Sequence, residues 1–255
     1  MNLLIRKIIM RILGPYAYPG VSIVDDVIRY FDLSGNEEFR VRYFVSRIGF
    51  DERWARLTRT TEDAVESFYN EHDADLWRQA YLSQFSHTYK HKILSAFDVT
   101  RTYARPKDRV LEYGCGAGVL GRYLAKHGFS VDVADIRSKT LDFVRAQLAA
   151  NFANVFEVNR NFELPHHTYA AIHCLDVLEH TLHPLEIARR LVDCLRQGGL
   201  LHISFPVEHD FSGAHTREAQ QERPAVFQML REYCEEIEPE KIYSKTKNEN
   251  LHSYA

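Results

Sequence analysis

The chain has little of what nucleic-acid-binding, secreted or membrane-spanning proteins depend on. It has only four cysteines, none in C-x-x-C spacing, and its formal net charge is −3. That balance gives no basic field for gathering a nucleic acid. Unpaired thiols without a secretory leader are typical of a reducing, cytoplasmic setting. No apolar run is long enough to cross a bilayer, and we find no internal repeat. With 255 residues, 45% of them hydrophobic, the chain can bury a sizeable core.

What is present is a glycine-rich turn. Residues 110–118 read Val-Leu-Glu-Tyr-Gly-Cys-Gly-Ala-Gly, an apolar strand that ends in an acid and three alternating glycines. Glycine accepts positive φ and leaves the backbone bare where a ligand lies against it. The dinucleotide fingerprint G-x-G-x-x-G requires a glycine where Val119 stands, and Glu112 would repel a pyrophosphate. A nucleoside with a cationic amino-acid end and no phosphate fits better.

This pattern resembles the first motif of the class I S-adenosylmethionine-dependent methyltransferases, which is an apolar strand, an acid and G-x-G-x-G. The rest of the unit follows in order. A helix over Val119–Lys126 is ended by Gly128, and a second strand closes on Asp135. Asp135 lies 17 residues after Gly118, close to the spacing of a ribose-binding acid.

Strands and helices continue to alternate up to Pro206. Further strands are predicted over residues 154–158, 170–175 and 200–205, with helices starting near Ser138 and Pro184. This alternation predicts an α/β fold, a doubly wound, Rossmann-like, mostly parallel sheet with helices on both faces. Only residues 236–246 and 251–255 remain for a sixth and seventh strand, so the last strands are expected to be short or missing.

The block from Asp176 to Pro184, with the later Gly-Gly-Leu-Leu run, is similar to that of small-molecule methyltransferases of the ubiquinone-biosynthesis type. The resemblance covers roughly residues 108–206. It implies S-adenosylmethionine as cofactor, S-adenosylhomocysteine as product and a small-molecule acceptor methylated at oxygen. Nucleic-acid amino-methylating relatives carry Asn/Asp-Pro-Pro-aromatic after the fourth strand, where this chain has Cys-Leu-Asp-Val.

The resemblance also predicts a cofactor site. Its expected residues are Glu112, Tyr113, Gly114, Cys115, Gly116, Gly118, Asp135, Ile136, Asn161 and Asp176. Among these, Asp135 would accept from the ribose hydroxyls and Ile136 would wall the adenine. Asn161 or Asn159 would meet the exocyclic amine, and Asp176 would line the methionine end.

His180 is the predicted catalytic residue. Its ordinary pKa suits removal of a proton from a hydroxyl acceptor, although a local hydrogen bond in the turn is an alternative role. Asp176, Glu179 and His180 form D-x-x-E-H, similar to an E-x-x-E-H cluster that binds a divalent ion in some relatives. Magnesium needs more oxygen ligands than this stretch offers, so no metal is predicted.

Residues 1–100 are predicted to be a helical segment before a cofactor domain over residues 101–255. Residues 2–13 have one apolar helical face with Arg6, Lys7 and Arg11 away from it, which favours a packing helix or subunit contact, or else a peripheral membrane contact. Trp77, Tyr81 and Phe85 recur at four-residue steps, which predicts a face that packs against the cofactor domain or forms part of an acceptor pocket. His87 and His91 are predicted to be surface residues.

Two other functions compete with methyl transfer. A methyltransferase fold without catalysis would serve as a binding or scaffold subunit, but such a protein would be free to lose Glu112, the glycines and Asp135. A nicotinamide oxidoreductase is disfavoured by Val119 and Glu112. After the fifth strand, His209, Asp210, Phe211 and His215 are candidates for substrate contact or for a polar surface loop.

Overall fold

The computed structural model describes residues 20–57, 61–159, 162–206 and 215–246. These residues form a sheet of seven strands flanked by helices, in the order β3-β2-β1-β4-β5-β7-β6. The strands are β1 Arg109–Tyr113, β2 Ser130–Asp135, β3 Asn154–Glu157, β4 Tyr169–Leu175, β5 Leu195–Ser204, β6 Cys234–Glu238 and β7 Ile242–Lys245.

Helices precede the sheet and connect its strands. Those before β1 are α1 Val24–Tyr30, α2 Asn36–Arg47, α3 Phe50–Arg56, α4 Glu62–Glu71, α5 Ala74–Phe85 and α6 His87–Tyr103. Those within the sheet domain are α7 Val119–Lys126, α8 Lys139–Phe143, α9 Pro184–Cys194 and α10 Arg217–Tyr233. A π-helical turn, Val144–Leu148, continues α8, and a short 3₁₀ turn, Leu178–His180, follows β4.

The sheet confirms the predicted α/β class. Strands β1 to β5 run parallel, and β7 runs antiparallel between β5 and β6. Both final strands exist, and they are short, with five and four residues. They lie entirely within residues 234–245, so neither needs the predicted strand over 251–255, which lies outside the described residues.

Successive residues of β1 face opposite layers of the core. Val110 packs in the cluster shared with α5, α6 and α7, whereas Leu111 packs in the cluster shared with α9 and α10. This alternation is the period-two pattern of a strand buried on both faces. The helices on both faces cover the centre of the sheet, so a ligand can reach it only at the carboxyl ends of the strands.

Local start and stop signals act as predicted. Ser138 caps α8 by accepting from the backbone N–H of Leu141 at 3.0 Å, and Pro184 occupies the first turn of α9. Gly128 follows α7 with φ of 89°, a conformation that glycine adopts without strain.

The aromatic stripe of α5 is core. Trp77 stacks on Phe31 with ring centroids 4.6 Å apart, and Tyr81 stacks on Tyr43 at 4.0 Å. Neither they nor Phe85 are among the residues that line the large cavity described below. The stripe is therefore core and not pocket edge, but Trp77 and Tyr81 stack on aromatic residues of the N-terminal segment, whereas packing against the cofactor domain was predicted. His87 and His91 are exposed, as predicted.

Candidate active site

The three glycines form a tight loop between β1 and α7. Gly114, Gly116 and Gly118 have φ of 69°, 49° and 67°, in the left-handed region that favours glycine. A Cβ on Gly114 would lie 2.2 Å from a methyl of Val177. A Cβ on Gly116 would lie 2.2 Å from the Gln79 amide nitrogen. The Val177 side chain therefore requires glycine at position 114, whereas at position 116 the flexible Gln79 amide could move and the positive φ is the stronger reason for glycine.

Asp135 fixes this loop from the end of β2. One carboxylate oxygen accepts from the backbone N–H of Gly116 at 2.6 Å, and the other accepts from that of Ile136 at 2.8 Å. Burial raises the pKa of Asp135 to about 6, and the two hydrogen bonds oppose that rise. A carboxylate offers about four acceptor sites, so lone pairs remain for hydroxyl donors on the cavity side.

Glu112 lies behind the loop. Its Oε2 accepts from the backbone N–H of Gly121 at 2.7 Å. Gly121 is in the first turn of α7, whose N-cap residue, Gly118, makes no side-chain cap. Glu112 thus satisfies a helix donor that would otherwise lack a partner. Burial raises its pKa to about 8.

Asp176 has a left-handed backbone, with φ of 57°, directly after β4. One of its carboxylate oxygens accepts from the Ser204 hydroxyl at 2.8 Å, and the other forms an ion pair with Lys92 from α6. Partial burial alone would raise the pKa of Asp176, but Lys92 and Ser204 outweigh it and hold the pKa below its ordinary value. The sequence patterns gave no sign of Lys92, because it lies 84 residues from its partner.

A cavity of about 880 Å³ brings most predicted site residues together. This is within the range of about 300–1,000 Å³ for ligand pockets. The predicted residues that line it are Tyr113, Gly114, Gly116, Asp135, Ile136, Asp176 and His180. Glu112, Cys115 and Gly118 are not among the lining residues, and the Cys115 side chain is buried in the core. Asn159 lines the cavity, whereas Asn161 lies outside the described residues.

Part of the cavity lining is a cluster of Glu179, His180 and His215. Ligand-type atoms of these three side chains lie within 4.8 Å of one another. The His180 and His215 rings meet edge-on, with centroids 5.3 Å apart. Thr216 holds the two segments together, since its N–H donates to the Glu179 carbonyl at 2.9 Å and its hydroxyl donates to the Thr181 carbonyl at 2.6 Å.

This cluster has a donor set that fits a divalent ion. Glu179 is 2% exposed, and its Oε2 has no hydrogen-bond partner among the described residues. Burial raises its pKa to about 8, whereas a cation would favour the carboxylate form. Asp176, the first residue of D-x-x-E-H, is not in the cluster. A carboxylate with two imidazoles suits a transition metal or zinc better than magnesium.

The N-terminal helices supply lining that the motifs did not indicate. Arg47, Phe50 and Tyr69 face the cavity from α2, α3 and α4. Gln79 of α5 reaches the glycine loop, where its Oε1 accepts from the backbone N–H of Ala117 at 2.9 Å. The sequence patterns gave no sign of Gln79, because it lies 38 residues from its partner.

A Rossmann-like sheet with a glycine loop and a carboxylate at the end of its second strand defines a nucleoside-binding protein. The general methyltransferase-domain model matches residues 81–238. This match covers more than half of the chain, which therefore belongs to the methyltransferase-domain family.

Curated relatives match a shorter region. A ubiquinone biosynthesis O-methyltransferase of Vibrio cholerae is 29% identical over 101 residues, covering 38% of this chain and 40% of the relative. A namesake from Xanthomonas campestris is 30% identical over 110 residues, covering 42% and 46%. The chain thus spans less than half the length of these relatives.

Among solved structures, magnesium protoporphyrin IX methyltransferase from Synechocystis, with bound SAH, has a TM-score of 0.47 at 22% identity and covers 59% of this chain and 74% of its own. The PH0226 protein of Pyrococcus horikoshii has a TM-score of 0.47 at 16% identity, covering 64% and 92%. Within the described stretches, every helix is too short or too polar to traverse a bilayer.

Proposed function

We propose that this protein transfers the methyl group of S-adenosylmethionine to a hydroxyl oxygen of a small molecule. One observation supports this most strongly: a single cavity is lined by the glycine loop, by Asp135 and by His180. The cofactor and the acceptor would thus share one enclosure. In this proposal Asp135 binds the ribose, Ile136 contacts the adenine, and Asp176 with Lys92 faces the methionine end.

The reaction is an in-line displacement. The acceptor oxygen forms a bond to the methyl carbon as the carbon–sulfur bond breaks, and the electron pair leaves on sulfur as neutral S-adenosylhomocysteine. Because the leaving group is good, the protein's main tasks are to orient the oxygen and to exclude water. His180 takes the hydroxyl proton. Glu179 and His215, next to it, orient its ring.

A metal-assisted version uses the same wall of the cavity. Glu179, His180 and His215 would hold the ion, which when bound would supply Lewis acidity to the acceptor hydroxyl. We favour the metal-free version, with His180 as base. Turnover should then persist after treatment with a chelator. Complete inhibition that an added divalent cation reverses would instead assign the cluster to a metal.

The experiment is a methyl-transfer screen with the full chain, S-adenosylmethionine and panels of phenols, sugars and lipids. Formation of S-adenosylhomocysteine is followed by mass spectrometry, together with the mass gain of the acceptor. Transfer to a hydroxyl compound is expected. Binding of S-adenosylhomocysteine without turnover on any panel would favour the scaffold alternative, and transfer only to amines would move the acceptor atom to nitrogen.

A further inference from the structure

One face of α6 contacts β4 and β5 through residues that are spaced by four. Lys92, nearer the start of the helix, forms the ion pair with Asp176, and Thr100 contacts His173 of β4. Ala96 lies between them and is fully buried. Side chains four residues apart lie on the same face of a helix. We call Lys92, Ala96 and Thr100 the α6 seam.

The contact at Thr100 is a chain of hydrogen bonds with a fixed direction. The Thr100 hydroxyl donates to the Ala96 carbonyl at 2.9 Å, so its oxygen accepts from the Nε2–H of His173 at 2.6 Å. Burial holds the pKa of His173 well below its ordinary value, so the ring is neutral and its Nδ1 carries no proton. That Nδ1 accepts from the Nδ1–H of His202 on β5 at 3.1 Å. Each proton in the chain has one acceptor, which fixes this part of α6 on the sheet.

The two contacts of the seam have matching spacings on the helix and the strand. Thr100 follows Lys92 by eight residues, a helical rise of about 12 Å. Asp176 follows His173 by three residues, about 10 Å of extended chain. The helix runs opposite to β4, so the hydrogen bond at Thr100 brings Lys92 to Asp176. A shift of α6 by one turn, about 5.4 Å, would break both contacts.

The seam reaches the cavity at Asp176. The Asp176 side chain is 54% exposed and lines the cavity, whereas Lys92 is not among the lining residues. One carboxylate oxygen pairs with Lys92, and the other accepts from Ser204. A carboxylate has about four acceptor positions, so about two remain for a donor in the cavity. Charged nitrogen donors form the strongest hydrogen bonds to a carboxylate.

We propose that the α6 seam is a positioning device for the cofactor. Its hydrogen bond at Thr100 holds Lys92 on Asp176, and Lys92 holds the Asp176 carboxylate in place for the ammonium of the cofactor's amino-acid end. This inference rests on the proposed function. Lys92 and Thr100 are positioning residues, because both act through Asp176. Part of the cofactor affinity thus depends on a helix that precedes the whole sheet.

The test compares S-adenosylhomocysteine with methylthioadenosine, which has the same nucleoside and a thioether but no amino-acid end. Calorimetric titration of the full chain measures both affinities. Lys92→Met should weaken S-adenosylhomocysteine binding by about three- to tenfold, the effect of one hydrogen bond, and leave methylthioadenosine binding unchanged. Lys92→Arg should restore the affinity. Lys241→Met is the matched control, because Lys241 pairs with Glu238 at 2.7 Å and neither residue lines the cavity.

A second variant tests the other end of the seam. Thr100→Val keeps the shape of the side chain and removes the hydroxyl. It should weaken S-adenosylhomocysteine binding by about two- to fivefold in the wild type and have no further effect in Lys92→Met, because residues that act through one group are not additive. Thr100→Ser keeps the hydroxyl and should bind like the wild type.

Several outcomes overturn the proposal. Equal weakening of both ligands by Lys92→Met would make Lys92 a support of the fold alone. Unchanged or tighter binding of S-adenosylhomocysteine by that variant would remove its role. Additive effects of Thr100→Val and Lys92→Met would disconnect the two ends of the seam. A wild type that binds neither ligand would contradict the proposed function itself, and this inference with it.

Discussion

The two halves of the cavity that we propose for the cofactor and for the acceptor are assembled in different ways. The cofactor half comes from the ends of β1 and β2, where the glycine loop and Asp135 follow each other within 25 residues. The acceptor half combines Arg47, Phe50 and Tyr69 from the N-terminal helices with His180, which follows β4, and His215, which precedes α10. The first is local chemistry that a motif can encode, whereas the second exists only after tertiary packing.

The strongest test of the acceptor half is His180→Ala. Loss of a general base should lower kcat by about 10²–10⁴-fold and leave affinity for S-adenosylhomocysteine unchanged. Steady-state kinetics and calorimetry separate the two effects. His183→Ala, at a nearby cavity-lining histidine, is the control and should keep most of the activity. If His180→Ala lost cofactor affinity instead, His180 would belong to the cofactor half.

The glycine loop can be tested with two matched substitutions. Gly114→Ala should cost about 2–5 kcal/mol of unfolding free energy, because left-handed strain adds to the collision with Val177. Gly118→Ala has a similar φ, but its Cβ would meet Phe152 at an ordinary 3.4 Å, so it should cost only about 1–2 kcal/mol. Urea titration measures both. Equal losses would show that backbone strain alone explains why these loop positions require glycine.

Asp135→Ala should weaken S-adenosylhomocysteine binding by about 1.5–3 kcal/mol, the range for hydrogen bonds to a charged group. The same change also releases the Gly116 N–H, so the loop loses an anchor. Calorimetric titration gives the affinity, and Asp142→Ala, at an exposed carboxylate on α8, is the control. If binding weakened by only a few tenths of a kcal/mol, the ribose contact would have to lie elsewhere.

Two neighbouring histidines on β4 and β5, His173 and His202, predict an acid-sensitive fold. His173 lies 2.6 Å from the Thr100 hydroxyl and 3.1 Å from His202. Burial lowers both pKa values, to about 4 for His202. Because an unfolded histidine has a pKa near 6.5, the unfolded chain binds more protons as pH falls. The folded state is therefore destabilised as pH falls below about 6.5, and the loss of unfolding free energy continues down to about pH 4.

The titration of His202 alone should lower the unfolding free energy by about 2 kcal/mol between pH 7 and pH 5. Glu112 and Glu179 act in the opposite sense, because burial raises their pKa values to about 8. The wild type and His202→Gln both contain these two carboxyl groups, so their effect cancels when the acid losses of the two proteins, measured by urea titration at both pH values, are compared. The variant should show the smaller acid loss, and parallel profiles would contradict the account.

The smallest effect on cofactor affinity is expected at Gln79, through which α5 contacts the glycine loop. Gln79→Ala removes the acceptor of the Ala117 N–H, which should weaken cofactor binding by about 0.5–1.5 kcal/mol. Gln84→Ala, on the same helix, is the control. Calorimetry that detects no difference between these variants would mean that α5 only covers the loop.

The sequence predicted the features that depend on local residues and missed those that depend on tertiary contacts. The sheet class, the helix starts at Ser138 and Pro184, and the cavity position of Gly116 and Asp135 depend on neighbours within a few residues, and patterns indicated all of them. Lys92 beside Asp176 and Gln79 on the loop depend on contacts across 84 and 38 residues. No local pattern carries such information.

The acceptor wall shows the same limit in the D-x-x-E-H run. The motif groups Asp176 with Glu179 and His180, but the left-handed turn after β4 directs Asp176 to Lys92 and Ser204 instead. His215 takes the third position in the cluster because Thr216 is hydrogen-bonded to the turn. Spacing along the chain could not distinguish these arrangements.

The most direct test of the central claim is calorimetric titration of the full chain with S-adenosylhomocysteine and, separately, with NAD. The account predicts one binding event with S-adenosylhomocysteine, weaker in Asp135→Ala, and no heat of binding with NAD. Binding of NAD without binding of S-adenosylhomocysteine would contradict it.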